Sequence, residues 1–150
     1  MPVFLYSCYT DSSVVGRPLV RPSFVGDDVF QARIAEMHID SYQFGEIIID
    51  GTAYNNDCLI LGGTVQANWR RKQGHLLSAE DLQPIITAKP SVLIVGCGAS
   101  GLMKISDQAR HVLLEVDIRL EAADTARAVE RFNELSKTGV NTAAALHLTC

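Results

Sequence analysis

At 150 residues the chain is one domain of ordinary size, long enough to bury about two thirds of the surface it exposes when unfolded. Hydrophobic residues at 47% against 20% charged exclude an intrinsically disordered chain, and a net charge of −4 argues against the broad basic surface that non-specific nucleic-acid binding needs. No apolar run approaches the roughly 20 residues of a membrane-spanning helix, so no membrane insertion is expected.

Residues 1–37 are expected to form a partly ordered N-terminal arm. They hold Pro2, Pro18 and Pro22 and show no clear period. Residues 28–36 suit one or two helical turns capped by Asp28, and Met37 is a candidate alternative start. Only Val3-Phe4-Leu5-Tyr6 is apolar before Ser7, with no Lys or Arg ahead of it, which is not the pattern of a secretory leader. Cys8, Cys58, Cys97 and Cys150 form neither a CxxC motif nor a disulfide framework, so reduced thiols and a cytoplasmic location are expected.

A single α/β domain is expected over residues 38–150. Ile47-Ile48-Ile49 is a β-branched strand, and Asp50-Gly51 is a hairpin signal leading into an extended Thr52-Ala53-Tyr54. Residues 57–61 and 64–67 read as two more short strands around Gly62-Gly63, so this stretch reads as an antiparallel meander. After a loop over residues 68–77, Ser78 and Asp81 make an imperfect capping box. Pro84 predicts a kink or a late helix start, and Lys89-Pro90 an end.

Ser91-Val-Leu-Ile-Val95 is apolar throughout, as a strand covered on both faces should be. Ser106 is the expected cap of the next helix, with Ala109, Val112 and Leu113 on one face. A strand over residues 116–120 follows. Then comes a helix capped by Asp124 or Thr125, with Ala128, Val129, Phe132 and Leu135 in one stripe and Gly139 beyond its end. Residues 140–150 are the closing strand. Alternating helix and strand over residues 78–150 favours a largely parallel sheet with right-handed crossovers.

Gly96-Cys97-Gly98-Ala99-Ser100-Gly101 is a GxGxxG after an apolar strand, with Glu121 about 20 residues on, the pieces of a dinucleotide fingerprint. Three features oppose that reading. The better helix cap, Ser106, lies past the glycines, which turns the helix dipole away from any phosphate. Too few βαβ units are present for a two-half site. Leu102 and Met103 crowd the entry. No cofactor is expected, and a tight loop using glycine for positive φ or close packing is the ordinary explanation.

A small-anion role for the loop stays open. Trp69, Arg70, Arg71, Lys72 and His75 share one loop, and an aromatic beside guanidinium groups can bind an anion or a base. A solvated basic loop, or an arginine paired with a carboxylate, is the plainer account. Cys97 sits where turned amides can lower a thiol pKa. His147, between Leu146 and Leu148, reads as a hydrogen-bonded core or rim residue rather than a catalyst. No HxH, HExxH or DxD is present, so no metal is expected. The candidate ligand-binding set is Trp69, Arg70, His75, Gly96, Cys97, Gly98 and Gly101, with no catalytic residue assigned.

Together several motifs resemble a known family. They are Phe44-Gly45 with Ile49-Asp50-Gly51 and Tyr54; Trp69-Arg70 with Gly74-His75; Leu93 to Gly98 with Gly101; Thr125-Ala126 with Asn133-Glu134-Leu135; and the ending Ala144-Ala145-Leu146-His147-Leu148-Thr149-Cys150. The chain resembles, over residues 38–150, the small conserved proteins that include mitochondrial complex I assembly factor 3 and the mammalian adipogenesis-associated protein, whose prokaryotic members form a domain of unknown function. The resemblance implies a three-layer α/β fold, a mixed central sheet with an added antiparallel β-hairpin layer. It implies no catalytic residues, and self-association into a homo-oligomer. The family usually carries Gly-Thr-Gly where this chain has Gly96-Cys97-Gly98, which removes a hydroxyl from the loop. By that analogy the expectation is a non-enzymatic accessory or assembly protein acting through protein contacts. The alternative is a small-molecule or anion-binding protein using the 96–101 loop.

Overall fold

The Ile47-Ile48-Ile49 run is the middle strand of an antiparallel sheet. The computed structural model describes residues 37–150, which fall within one compact unit. The arm expected over residues 1–37, with its helical turns at 28–36, lies outside the described residues apart from Met37, which packs on the core. Strands β1 (Ile39–Gln43), β2 (Glu46–Ile49) and β3 (Thr52–Tyr54) pair in the order β1-β2-β3. Asp50 and Gly51 turn the β2–β3 corner with φ of 47° and 83°, the doubly positive geometry that an Asp-Gly hairpin supplies. Strand β1 goes beyond the expected elements. Its sequence Ile-Asp-Ser-Tyr-Gln buries only Ile39 fully, so the apolar signal is faint.

The second sheet begins with the hairpin β4 (Cys58–Leu61) and β5 (Thr64–Ala67). The short strand β6 (Leu76–Leu77) leads to a 3-10 turn at Ala79–Leu82, which Asp81 holds by accepting from the Ser78 amide and hydroxyl. Helix α1 (Gln83–Ala88) starts only after that turn, with Pro84 in its first turn where a missing N–H costs nothing. Then follow β7 (Val92–Cys97), a two-residue β8 (Lys104–Ile105) parallel to β6, α2 (Asp107–Glu115), β9 (Arg119–Ala123), α3 (Thr125–Lys137) and β10 (Thr142–His147).

The main sheet runs β9-β7-β10-β4-β5. Strands β9, β7 and β10 are parallel, while β4 is antiparallel to β10, so the sheet is mixed. One face carries Leu59, Leu93, Val95 and Ala145 against Leu82, Ile85, Ala109 and Leu113 of the 3-10 turn, α1 and α2. The other carries Ile60, Ile94, Ala144 and Leu146 against Phe132 and Ala128 of α3 and Ile39, Ile47 and Ile49 of the small sheet. This is the three-layer arrangement with an added hairpin layer. Among the described residues no helix is long and apolar enough to cross a membrane.

The strand expected at residues 116–120 is displaced. Val116 still bonds back to Val112, the Ile118 amide reaches the Leu113 carbonyl, and Asp117 takes φ of 64°. That is a helix C-terminal motif with Asp in the left-handed position usual for glycine. The strand therefore begins at Arg119. The closing strand is also shorter than expected, ending at His147. Both expected helix caps form: the Ser106 hydroxyl accepts from the Ala109 amide and the Asp124 carboxylate from the Arg127 amide. Asp124→Ala should lose about 1 kcal/mol in a urea titration. An unchanged midpoint would show that the cap contributes nothing.

Candidate functional site

The site starts from an acid placed just ahead of an apolar strand. Because β4 pairs antiparallel with β10, placing Cys58 opposite Leu146, Asp57 lies beside the residues that leave β10. Its Oδ1 accepts from the Leu148 amide at 2.9 Å, and its Oδ2 accepts from His147 Nδ1 at 2.8 Å. Arg71 Nη1 lies 2.9 Å from the same Oδ2, as an ion pair rather than an aligned hydrogen bond. The Trp69 amide donates to the Asp57 carbonyl and fixes the start of the 68–75 loop.

Arg71 is almost fully buried, its side chain 4% exposed. Its Nε and Nη2 donate to the Gly74 carbonyl, and its guanidinium carbon sits 4.9 Å from the Trp69 ring centroid, within cation–π range. Burial pushes the Asp57 carboxyl up. The Leu148 amide, His147 and Arg71 outweigh that and hold it below the usual range. An ionised Asp57 can only accept, so His147 Nδ1 carries the proton between them. Arg71 Nη2, 3.2 Å from that same Nδ1, is a second donor facing a donor and finds its bond at Gly74 instead. In the neutral ring this leaves Nε2 a bare acceptor, and Nε2 is buried with no partner.

The tail over residues 147–150 collects the other groups. His75 Nε2 lies 3.0 Å from Cys150 Sγ, and the His75 and His147 rings meet edge to face at 5.8 Å. Gly98, at φ of 100°, lies under the tail: a Cβ there would meet the Thr149 carbonyl oxygen at 2.4 Å and His147 Cδ2 at 3.0 Å. The Gly98 amide donates to the Thr125 hydroxyl, which itself donates to the His147 carbonyl. At Gly96 the absent side chain admits Thr125, whose Oγ1 would lie 2.9 Å from a Cβ.

So His75 and Gly98 meet through the tail, and Trp69 joins them through Arg71 and Asp57. Arg70 stays exposed, lining with Trp69, Asn56, Asn68, Gly74 and the Asp57–Arg71 pair a shallow cleft of about 190 Å³. Gly101 closes the loop on Gly98, its amide donating to the Gly98 carbonyl at 3.1 Å, with Asp124 on its other side. Helix α2 opens beyond the glycines, at Asp107. Glu121 is bound by Arg131 and Arg119 and held at about 2, chiefly by its hydrogen bond from Arg131. Asp57, Arg71 and Cys150 were outside the expected set. The one sequence signal for Asp57 is a lone acid directly before an all-apolar strand.

Cys97 ends β7 beside His147 in register. Burial raises its thiol pKa, the reverse of the activation expected of turned amides. Cys58, also buried, is pushed up to about 12. Of the three described thiols, iodoacetamide should reach half-buried Cys150 first and leave Cys58 and Cys97 unmodified until the domain unfolds. Peptide mass spectrometry showing Cys97 labelled first would restore it as a nucleophile.

Residues 39–147 match the family described as "Protein of unknown function (DUF498/DUF598)". A conserved hypothetical protein of Pyrococcus horikoshii is similar in structure: 26% identity, TM-score 0.69, covering 76% of this chain and 100% of that one. The Rpa2829 protein of Rhodopseudomonas palustris is 25% identical, TM-score 0.62, with 77% and 84% covered. A Bordetella pertussis protein described as a Mth938-like domain shares the fold at 21% identity, TM-score 0.60, with 76% and 87% covered. No curated protein matches the chain.

Proposed function

The chain belongs to the DUF498/DUF598 family of proteins of unknown function, and from that premise we propose a non-enzymatic accessory or assembly protein, cytoplasmic and acting through protein contacts. The observation that carries the reading is the Trp69–Arg70 pair at the open cleft. Arg70 is exposed and has no carboxylate partner among the described residues. Trp and Arg are the side chains that most often dominate binding energy at protein interfaces. The cleft is smaller than the roughly 300–1,000 Å³ of small-molecule pockets. Asp57 also lines the cleft but is paired with Arg71, so Arg70 carries its unbalanced charge. The cleft suits one acidic side chain of a partner, with the carboxylate on Arg70 and its stem on the indole.

The test is quantitative affinity purification with Arg70→Glu against wild type, with Lys137→Glu as a charge-matched control. The reading expects a partner enriched by the wild type and the control and lost with Arg70→Glu, at unchanged melting temperature. Equal enrichment by all three contradicts it. A second copy of this chain is one admissible partner, and light scattering across a concentration series checks for a homo-oligomer.

A second reading, a small anion held by the 96–101 loop with Arg70 and His75, is favoured by the exposure of Ala99, Ser100 and Gly101 at the loop's rim. Inorganic phosphate raising the melting temperature of the wild type but not of Arg70→Ala would favour it. No shift in either would end it.

A further inference from the structure

We propose that His75, His147 and Cys150 bind a borderline-soft divalent metal ion of the zinc class. One ligand atom from each residue lies within 4.8 Å of those of the other two. A tetrahedral zinc ion with bonds of about 2.0–2.3 Å holds adjacent donors roughly 3.3–3.7 Å apart. His75 Nε2 and Cys150 Sγ, 3.0 Å apart, need only a small outward adjustment to reach that separation. His75 is exposed and Cys150 half-buried, so both can move.

The second observation is independent of that clustering. The His147 side chain is 7% exposed, and its Nε2 is buried without a partner. A buried nitrogen left so forfeits a hydrogen bond that water would supply. Meanwhile Nδ1 donates to Asp57, which the Leu148 amide and Arg71 hold in place. A carboxylate on one ring nitrogen, with the other nitrogen bare, is the arrangement that orients metal-bound histidines and raises their basicity. Here the bare nitrogen belongs to a rigid imidazole clustered with a second imidazole and a thiol.

The donor set selects the ion. Two imidazole nitrogens and one sulfur suit zinc or cobalt and disfavour magnesium and calcium, which take oxygen ligands. Three protein ligands leave one position for solvent or an exogenous ligand. Only His147-x-x-Cys150 is close in sequence. His75 joins through the fold, so no zinc motif is visible along the chain. The site shares no ligand with the Trp69–Arg70 cleft, but Asp57 lines that cleft and also holds His147. Arg70→Glu leaves every metal ligand and Asp57 in place, so the two readings fail separately.

The test uses the full chain, reduced and stripped with chelator, titrated with cobalt(II). One equivalent should give a sulfur-to-cobalt charge-transfer band, and zinc should displace it and raise the melting temperature. His75→Gln and Cys150→Ser alter accessible residues and should fold. Each removes one of three direct ligands and should weaken zinc by more than the roughly 10–100-fold of losing an outer-shell partner, and Cys150→Ser should abolish the charge-transfer band. No such band in the wild type, or zinc affinity unchanged in both variants, overturns the proposal.

Discussion

Asp57→Ala should destabilise the domain by about 3–5 kcal/mol, the range for removing one partner of a buried ion pair. The loss exceeds that of a surface salt bridge because of what remains. Arg71, 4% exposed, would keep its charge without a counter-ion. The Leu148 amide and His147 Nδ1–H would lose their acceptor together. Spread over a chain of this size, the loss lowers the melting temperature by on the order of 10 °C. Removing both charges is gentler, since a desolvated pair exchanged for apolar groups is often near neutral. Asp57→Leu combined with Arg71→Met should therefore be more stable than Asp57→Ala. The same carboxylate gives an acid limb. Its folded pKa lies below the ordinary value, so the unfolded chain takes up the proton first. Its contribution is complete above the usual carboxylate range and fades as pH falls through the lowered value. Asp57→Ala should flatten that limb in acid titrations. A variant within about 1 kcal/mol of wild type, below the usual loss for such a pair, would show that Asp57 organises nothing.

Gly98→Val should cost about 3 kcal/mol or more, because two penalties add. A non-glycine residue at φ of 100° carries backbone strain of about 1–3 kcal/mol. The new Cβ, 2.4 Å from the Thr149 carbonyl oxygen and 2.9 Å from that of Cys150, must also push the tail away. Overpacking of that kind adds about 1–3 kcal/mol. Gly101→Ala separates the two terms. It keeps a positive φ of 68°, but its Cβ would meet only Asp124 Cβ, at 3.9 Å, so it should lose about 1–2 kcal/mol. Amide exchange should reveal the difference in place as well as size: residues 147–150 lose protection in Gly98→Val and keep it in Gly101→Ala. Equal losses at the two glycines would mean that the tail does not rest on Gly98.

Elements whose signal is local were legible along the chain. Ser106 and Asp124 announce their helices because a cap is a short-range bond, and Asp50-Gly51 announces its hairpin because both residues tolerate positive φ. The all-apolar β7 reads as a strand covered on both faces, and it is. Edges and long-range partners were less legible. Strand β1 is mostly polar, and Asp117 closes a helix in a position where glycine is the usual signal. The placement of β10 between β7 and β4 depends on contacts across the whole domain, invisible to any local period. The site divides the same way. Trp69, Arg70 and His75 could be picked from one loop by composition. Asp57 lies 90 residues from His147, and only the antiparallel β4–β10 pairing brings them together. GxGxxG misleads because glycine serves close packing against Thr125 and the tail as readily as it serves a phosphate.

The account turns on Asp57 holding the proton of His147 at Nδ1 and leaving Nε2 bare. Nitrogen-15 NMR of the histidine rings in the metal-free protein at neutral pH reads this directly. A single neutral tautomer protonated at Nδ1, converting in Asp57→Ala to the mixture of a free imidazole, is the predicted result. A proton on Nε2 in the wild type, or the same tautomer mixture in both proteins, contradicts it.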